Sequence, residues 1–112
     1  MSQAGLGDLE QLVLLAVMRL DGGAYAVSVR REIEGRTQRT ITRGAVYVTL
    51  GRLEEKGYLR SVLGNPTPER GGKAKRMFTI TAAGEQVLQE SLRGLHAMLD
   101  GVDTKLAWRV HV

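Results

Sequence analysis

Arg43, Tyr47 and Arg52 recur within one short stretch, Thr42 to Gly57, and four more cations, Arg70, Lys73, Lys75 and Arg76, follow it. A guanidinium fork matches phosphate oxygens or the O6/N7 edge of guanine, and an ammonium is a point charge for phosphate. A tyrosine hydroxyl can donate to phosphate while its ring packs. This is the chemistry of holding a polyanion. It is not the chemistry of making or breaking bonds: no nucleophile–base pair, phosphate-cradling loop or carboxylate dyad stands in a supporting context. The absence of Cys excludes disulfide frameworks, zinc ribbons and thiol nucleophiles. His96 and Asp100 stand four apart, but two ligands are too few for a metal site. A non-enzyme without metal or cofactor is therefore expected.

These side chains need a scaffold. Thr42 can cap a helix start, because its hydroxyl accepts from a free amide one turn in. Val46, Leu50 and Leu53 follow at spacings of four and three as one buried stripe, and Gly57 can end the helix in a left-handed C′ conformation. The opposite face holds Gly44, Tyr47, Val48, Gly51, Arg52 and Glu55. Its glycines let backbone come close to a partner, and the face suits the major groove of duplex DNA. Arg43 and Gly44 lie in the first turn, where free N–H groups and the positive dipole end favour phosphate.

The 112 residues suffice for one domain with a modest core. Net charge is +4, and its distribution is uneven. Residues 19–81 hold thirteen Lys and Arg against six Asp and Glu, while both flanks are slightly acidic. Such a block is the footprint of a polyanion binder. The longest apolar run, Leu12 to Met18, is too short to span a bilayer, and the first eleven residues lack the basic segment of a signal peptide. A cytoplasmic protein is expected.

Upstream, Asp8 is the expected N-cap of a first helix over about Leu9–Leu20, stopped by Asp21-Gly22-Gly23. That helix is apolar nearly all round, which predicts burial on more than one side, against its own domain and another subunit. A second helix is expected over about Tyr25–Thr37, with Val27, Ile33 and Val29 inward and Arg30, Arg31, Glu32, Glu34 and Arg36 in solvent. Helix, tight connection, helix is the helix-turn-helix order. After Gly57 the period changes to two. Residues 58–63 and 76–81 read as strands joined by the Gly- and Pro-containing loop 64–75, a basic hairpin or wing that can follow the phosphate backbone. Thr81 caps a last helix from about Ala82. Along it Leu88, Leu92, Leu95, Leu99, Val102 and Leu106 repeat every 3.5 residues or so, a seam that needs a second apolar surface. The first helix and a second copy of the same helix are both candidates. The fold class is α+β, mainly α: a winged helix-turn-helix of three helices plus a two-stranded wing over residues 1–81, with a C-terminal dimerisation helix over 82–112, in one structural unit.

In order, the chain carries Gly7-Asp8-Leu9-Glu10 with the run Leu12–Leu15, then Ala24-Tyr25, then Gly44-Ala45-Val46-Tyr47 with Leu50, Arg52-Leu53-Glu54 and Gly57-Tyr58-Leu59. The wing segment Gly71-Gly72-Lys73-Ala74-Lys75-Arg76-Met77-Phe78 and the turn Thr81-Ala82-Ala83-Gly84 complete the set. This ordered set resembles the PadR family of bacterial winged-helix transcriptional regulators, in its smaller form with one C-terminal helix. The chain departs at Val48 and Ala82, where the family often has Pro, and at Met77, where it often has an aromatic residue. The resemblance implies a homodimer, mostly of repressors, that binds an inverted repeat in double-stranded DNA. It also implies that Tyr25 contacts the DNA backbone and that some members are released by small aromatic or drug-like ligands. Trp108, the only tryptophan, could stack such a ligand. Two rival functions share the basic face: a winged-helix module for an acidic protein surface, and non-specific nucleic-acid binding. If Lys73 touches phosphate, Lys73→Ala weakens binding to every sequence and lowers the salt slope of binding by about 1; an unchanged slope removes Lys73 from the interface.

Overall fold

In the computed structural model, residues 5–64, 74–102 and 105–106 are described. The element order among them is α1 (Asp8–Leu20), α2 (Ala26–Thr37), α3 (Arg43–Glu55), β1 (Leu59–Leu63), β2 (Arg76–Ile80) and α4 (Ala82–Leu99). This is the winged helix-turn-helix with a C-terminal helix expected from the sequence. No helix among the described residues is long and apolar enough to cross a membrane.

The start of α1 differs from expectation. Gly7, not Asp8, is the N-cap. Its amide donates to Glu10 Oε1 at 2.8 Å, so the carboxylate three residues on reaches back to satisfy the helix entrance. The Asp8 side chain is thereby free to accept from Arg39 Nη1 at 2.7 Å. At the other end Asp21 turns left-handed at φ 38° and Gly22 follows at φ 93°.

In α2 the buried residues are Ala26, Val29 and Ile33, and Val27 is only half-buried. Burial follows the three-and-four spacing from Ala26, which turns Val27 toward the surface. Tyr25 is the N-cap, and its amide donates to Ser28 Oγ at 2.9 Å. Arg30 and Glu34 are not simply solvated. Arg30 Nε donates to the Ile41 carbonyl at 2.8 Å, and the Ile41 amide donates to Glu34 Oε2 at 2.8 Å. One ion pair of α2 thus holds both backbone groups of the buried residue that leads into α3.

The helices close around Val13, Leu14, Val29, Val46, Leu50 and Leu53, all fully buried. Beside them β1 and β2 pair antiparallel with Leu59 opposite Ile80, Ser61 opposite Phe78 and Leu63 opposite Arg76. The two-residue period puts Leu59, Ser61, Phe78 and Ile80 on one face, with Leu59 and Phe78 buried. Arg76 shares that parity and lies on the α3 side, but stays exposed. The Phe78 amide donates to the Ala24 carbonyl at 2.8 Å, tying the wing to the start of α2.

Thr81 caps α4 as expected, accepting from the Gly84 amide at 3.0 Å, and its hydroxyl donates to the Gly57 carbonyl at 2.6 Å. The apolar seam is divided. Leu88 is 3% exposed and is mostly taken up by the chain's own core. Leu92 is half-buried against that core, whereas Leu95 is 52% exposed and Met98 77%. The helix does not run through Leu106: it ends at Leu99, because Asp100 leaves helical geometry at ψ 121° and Gly101 takes φ 81°. Val102 and Leu106 lie beyond that break.

Gly84 seats α4 on the wing. A Cβ there would run into the Tyr58 carbonyl oxygen and come within 2.8 Å of Ile80 Cγ1, whereas one at Gly94 would meet nothing within 4 Å. Gly84→Ala is therefore expected to destabilise by about 1–3 kcal/mol, and Gly94→Ala to stabilise by up to about 1 kcal/mol. Urea denaturation of the two variants checks both signs.

Candidate nucleic-acid interface

The exposed side of α3 is built by what its other side buries. With Val46, Thr49, Leu50 and Leu53 inward, Gly44, Tyr47, Val48, Gly51, Arg52 and Glu55 all face solvent. Tyr47 is 60% exposed and Val48 57%. Thr42 Oγ1 accepts from the Ala45 amide at 3.1 Å, and the Val46 amide bonds to the Thr42 carbonyl. The amides of Arg43 and Gly44 keep no partner among the described residues, so the positive end of α3 is open.

The far end closes in a Schellman turn. The Tyr58 amide bonds to the Leu53 carbonyl at 2.9 Å and the Gly57 amide to the Glu54 carbonyl at 3.0 Å. Gly57 sits at φ 83°, as its position after the helix predicted. Beside this turn Lys56 Nζ donates to Glu10 Oε2 at 2.8 Å. Burial pushes the Glu10 carboxyl up, but hydrogen bonds from Lys56 and the Gly7 amide, with the charges of Lys56 and Arg52, outweigh it and hold it below the ordinary glutamate value. Glu10, at the entrance of α1, thus anchors the exit of α3.

Between α3, the start of α2 and the wing root lies a cleft of about 490 Å³. Tyr25, Tyr47, Lys75 and Arg76 line it, brought together from three parts of the chain. Lys75 Nζ stands 4.6 Å from the centroid of the Tyr25 ring, a cation–π contact that holds the ammonium at the cleft mouth. Arg76 Nη1 donates to Ser61 Oγ at 3.0 Å, and Ser61 Oγ donates to Glu54 Oε2 at 2.7 Å. Glu54 therefore offsets part of the Arg76 charge, a link that sequence spacing could not reveal because it crosses from helix to strand. Arg52 stands apart from the cleft, on the turn nearer Lys56. Arg70, Lys73 and Trp108 lie outside the described residues.

The profile of the transcriptional regulator PadR-like family matches residues 14–90. The chain belongs to the PadR-like family of transcriptional regulators. A PadR family regulator from Eggerthella lenta is similar at 27% identity and TM-score 0.68, over 91% of this chain and 88% of that one. A PadR-like regulator from Bacillus cereus matches at 17% identity and TM-score 0.72, over 90% of this chain and 93% of its own. A PadR family regulator from Clostridium difficile matches at 17% identity and TM-score 0.70, over 89% and 99%. The last two likenesses speak for the fold. No curated protein matches the chain closely enough to add a function. Among the described residues no group of three metal-ligating side chains comes together.

In this PadR-like regulator the Glu10–Lys56 pair sets a pH dependence. Because the folded carboxyl is held low, its stabilising contribution is present above the ordinary glutamate value of 4.5 and is lost as pH falls through the folded value. Glu10→Gln is expected to lower stability by about 1–2 kcal/mol at neutral pH, with the two proteins converging as the pH drops below 4.5. Denaturation midpoints across pH check this; a constant gap would show that the charge on Glu10 is not what matters.

Proposed function

We propose that the protein is a homodimeric repressor that binds an inverted-repeat operator, with α3 of each copy in the major groove and the wing on the flanking backbone. The observation that carries this is the face of α3. Two glycines, Tyr47 and Val48 are exposed beside an open helix N-terminus, with Lys75 at the adjoining cleft. Arg43, Gly44 and Thr42 would meet phosphate, Val48 and Arg52 the bases, and Tyr25, Tyr47, Lys75 and Arg76 the backbone. Arg70 and Lys73 would extend the wing contact. The phosphate contacts supply affinity and register; sequence is read by few side chains.

The homodimer is supported by apolar surface that one copy leaves open. Leu15, Met18, Leu88 and Leu92 line a groove of about 360 Å³ between α1 and α4. Leu95 and Met98 continue the exposed strip along α4, and the chain is drawn out to 52 × 34 × 22 Å. A second copy related by a two-fold axis would cover these surfaces and pair the two reading helices. Release by a small aromatic ligand, at work in the cytoplasm, completes the reading, which there rests on the family resemblance and Trp108.

Selection of bound sequences from a random duplex pool tests the operator. An inverted repeat with half-sites about 10 bp apart, or a multiple of that, is expected. Binding without a consensus would reduce the protein to a non-specific binder, and no binding at low salt would favour an acidic protein partner. Leu95→Glu is expected to yield monomers by light scattering and to weaken operator binding on the order of a hundredfold.

A further inference from the structure

A second cationic hollow lies beside the cleft. Val27, Arg30, Arg31 and Glu34 stand on one face of α2 and meet Arg43 from the first turn of α3 around a space of about 260 Å³. Three guanidinium groups share it with one carboxylate. Arg30 and Glu34 are occupied with each other, at 3.6 Å, and with the backbone of Ile41. Arg31 and Arg43 are exposed and form no ion pair among the described residues. The hollow therefore holds two free forks beside the open amides of Arg43 and Gly44.

Its placement relates it to the reading face. Val27 lines both this hollow and the cleft that holds Tyr47 and Lys75. Arg43 and Tyr47 are one helical turn apart on α3, so they share a face. Along α2 the hollow is on the side of Val27 away from Tyr25 and the wing root. The N-terminal half of α3 is thus flanked by two cationic positions, Lys75 on one side and Arg31 with Arg43 on the other.

We infer that the hollow between α2 and the start of α3 is a second phosphate-binding site, in which Arg31 and Arg43 hold one phosphodiester of the duplex backbone. Paired forks suit a phosphodiester because each can give two parallel N–H bonds to its oxygens. With Lys75 on the backbone at one edge of the groove and Arg31 at the other, α3 is held in register between two strands. The site rests on the reading that α3 enters the major groove.

The test uses the full-length protein and a labelled duplex of random sequence, titrated by fluorescence anisotropy across a salt series. Arg31→Gln is expected to weaken binding at low salt and to lower the slope of log affinity against log salt by about 0.9 for each copy bound. Arg36→Gln removes the same charge from the same helix, but Arg36 is paired with Glu32 at 2.7 Å outside the hollow, so its slope should stay near that of the wild type. Equal effects of the two substitutions would reduce Arg31 to general electrostatics and overturn the site. If Lys75→Gln lowers the slope and Arg31→Gln does not, the hollow is overturned and the groove reading stands. If the wild type does not bind, or none of the three substitutions moves the slope, both are overturned. Because Arg31 is exposed, the thermal melt of Arg31→Gln should match the wild type.

Discussion

The rotation of α3 about its own axis is the constraint on which the rest depends. Val46, Leu50 and Leu53 are each no more than 1% exposed, and a buried leucine is worth about 1.5–3 kcal/mol. Turning the helix by one residue would uncover that stripe and drive Tyr47 or Val48 into the core. Thr49, the one polar residue on the buried side, answers its hydroxyl locally by donating to the Ala45 carbonyl at 2.7 Å. The Thr42 cap and the Schellman turn at Gly57 then set where the helix begins and ends. Every functional position on α3 follows from those three fixings.

Charge is arranged around that face by pairing elsewhere. Asp8 takes Arg39, Glu10 takes Lys56, and Glu32 takes both Arg19 and Arg36. The exposed pairs of Asp8 and Glu32 contribute little to stability one by one. Their effect on the field is larger, because they neutralise cations around the domain, and among the described residues they leave Arg31, Arg43 and Lys75 without a carboxylate partner along the reading side. Glu54 is the exception: it sits in the cleft and tempers Arg76 through Ser61.

The apolar surface of α1 and α4 is divided between two tasks. Leu88 joins the chain's own core, whereas Leu95 and Met98 remain uncovered. An uninterrupted heptad seam cannot reveal this division, since the same leucine spacing serves a neighbouring helix in the same chain and a helix in another. Nor does the spacing reveal the break after Leu99. The break is legible only in Gly101, whose positive φ an ordinary helical residue would resist.

Periodicity and end signals in the sequence determined the element order, the three inward residues of α3, the Thr42 and Thr81 caps, the Gly57 stop, the antiparallel wing and the family. These are local matters, decided by spacings of three, four and two and by residues with strong backbone preferences. The tertiary structure decided what depends on distant partners. Glu10 displaced Asp8 from the cap role because its carboxylate could serve both the Gly7 amide and Lys56. Arg30 and Glu34 are drawn partly out of solvent because Ile41 offers them backbone groups to bind. Val27 turned outward because Ala26, Val29 and Ile33 filled the core side, and that turn joined two cationic hollows into one face. Only the folded chain brings Tyr25, Tyr47, Lys75 and Arg76 to a single cleft, because their meeting depends on how α2, α3 and the wing pack.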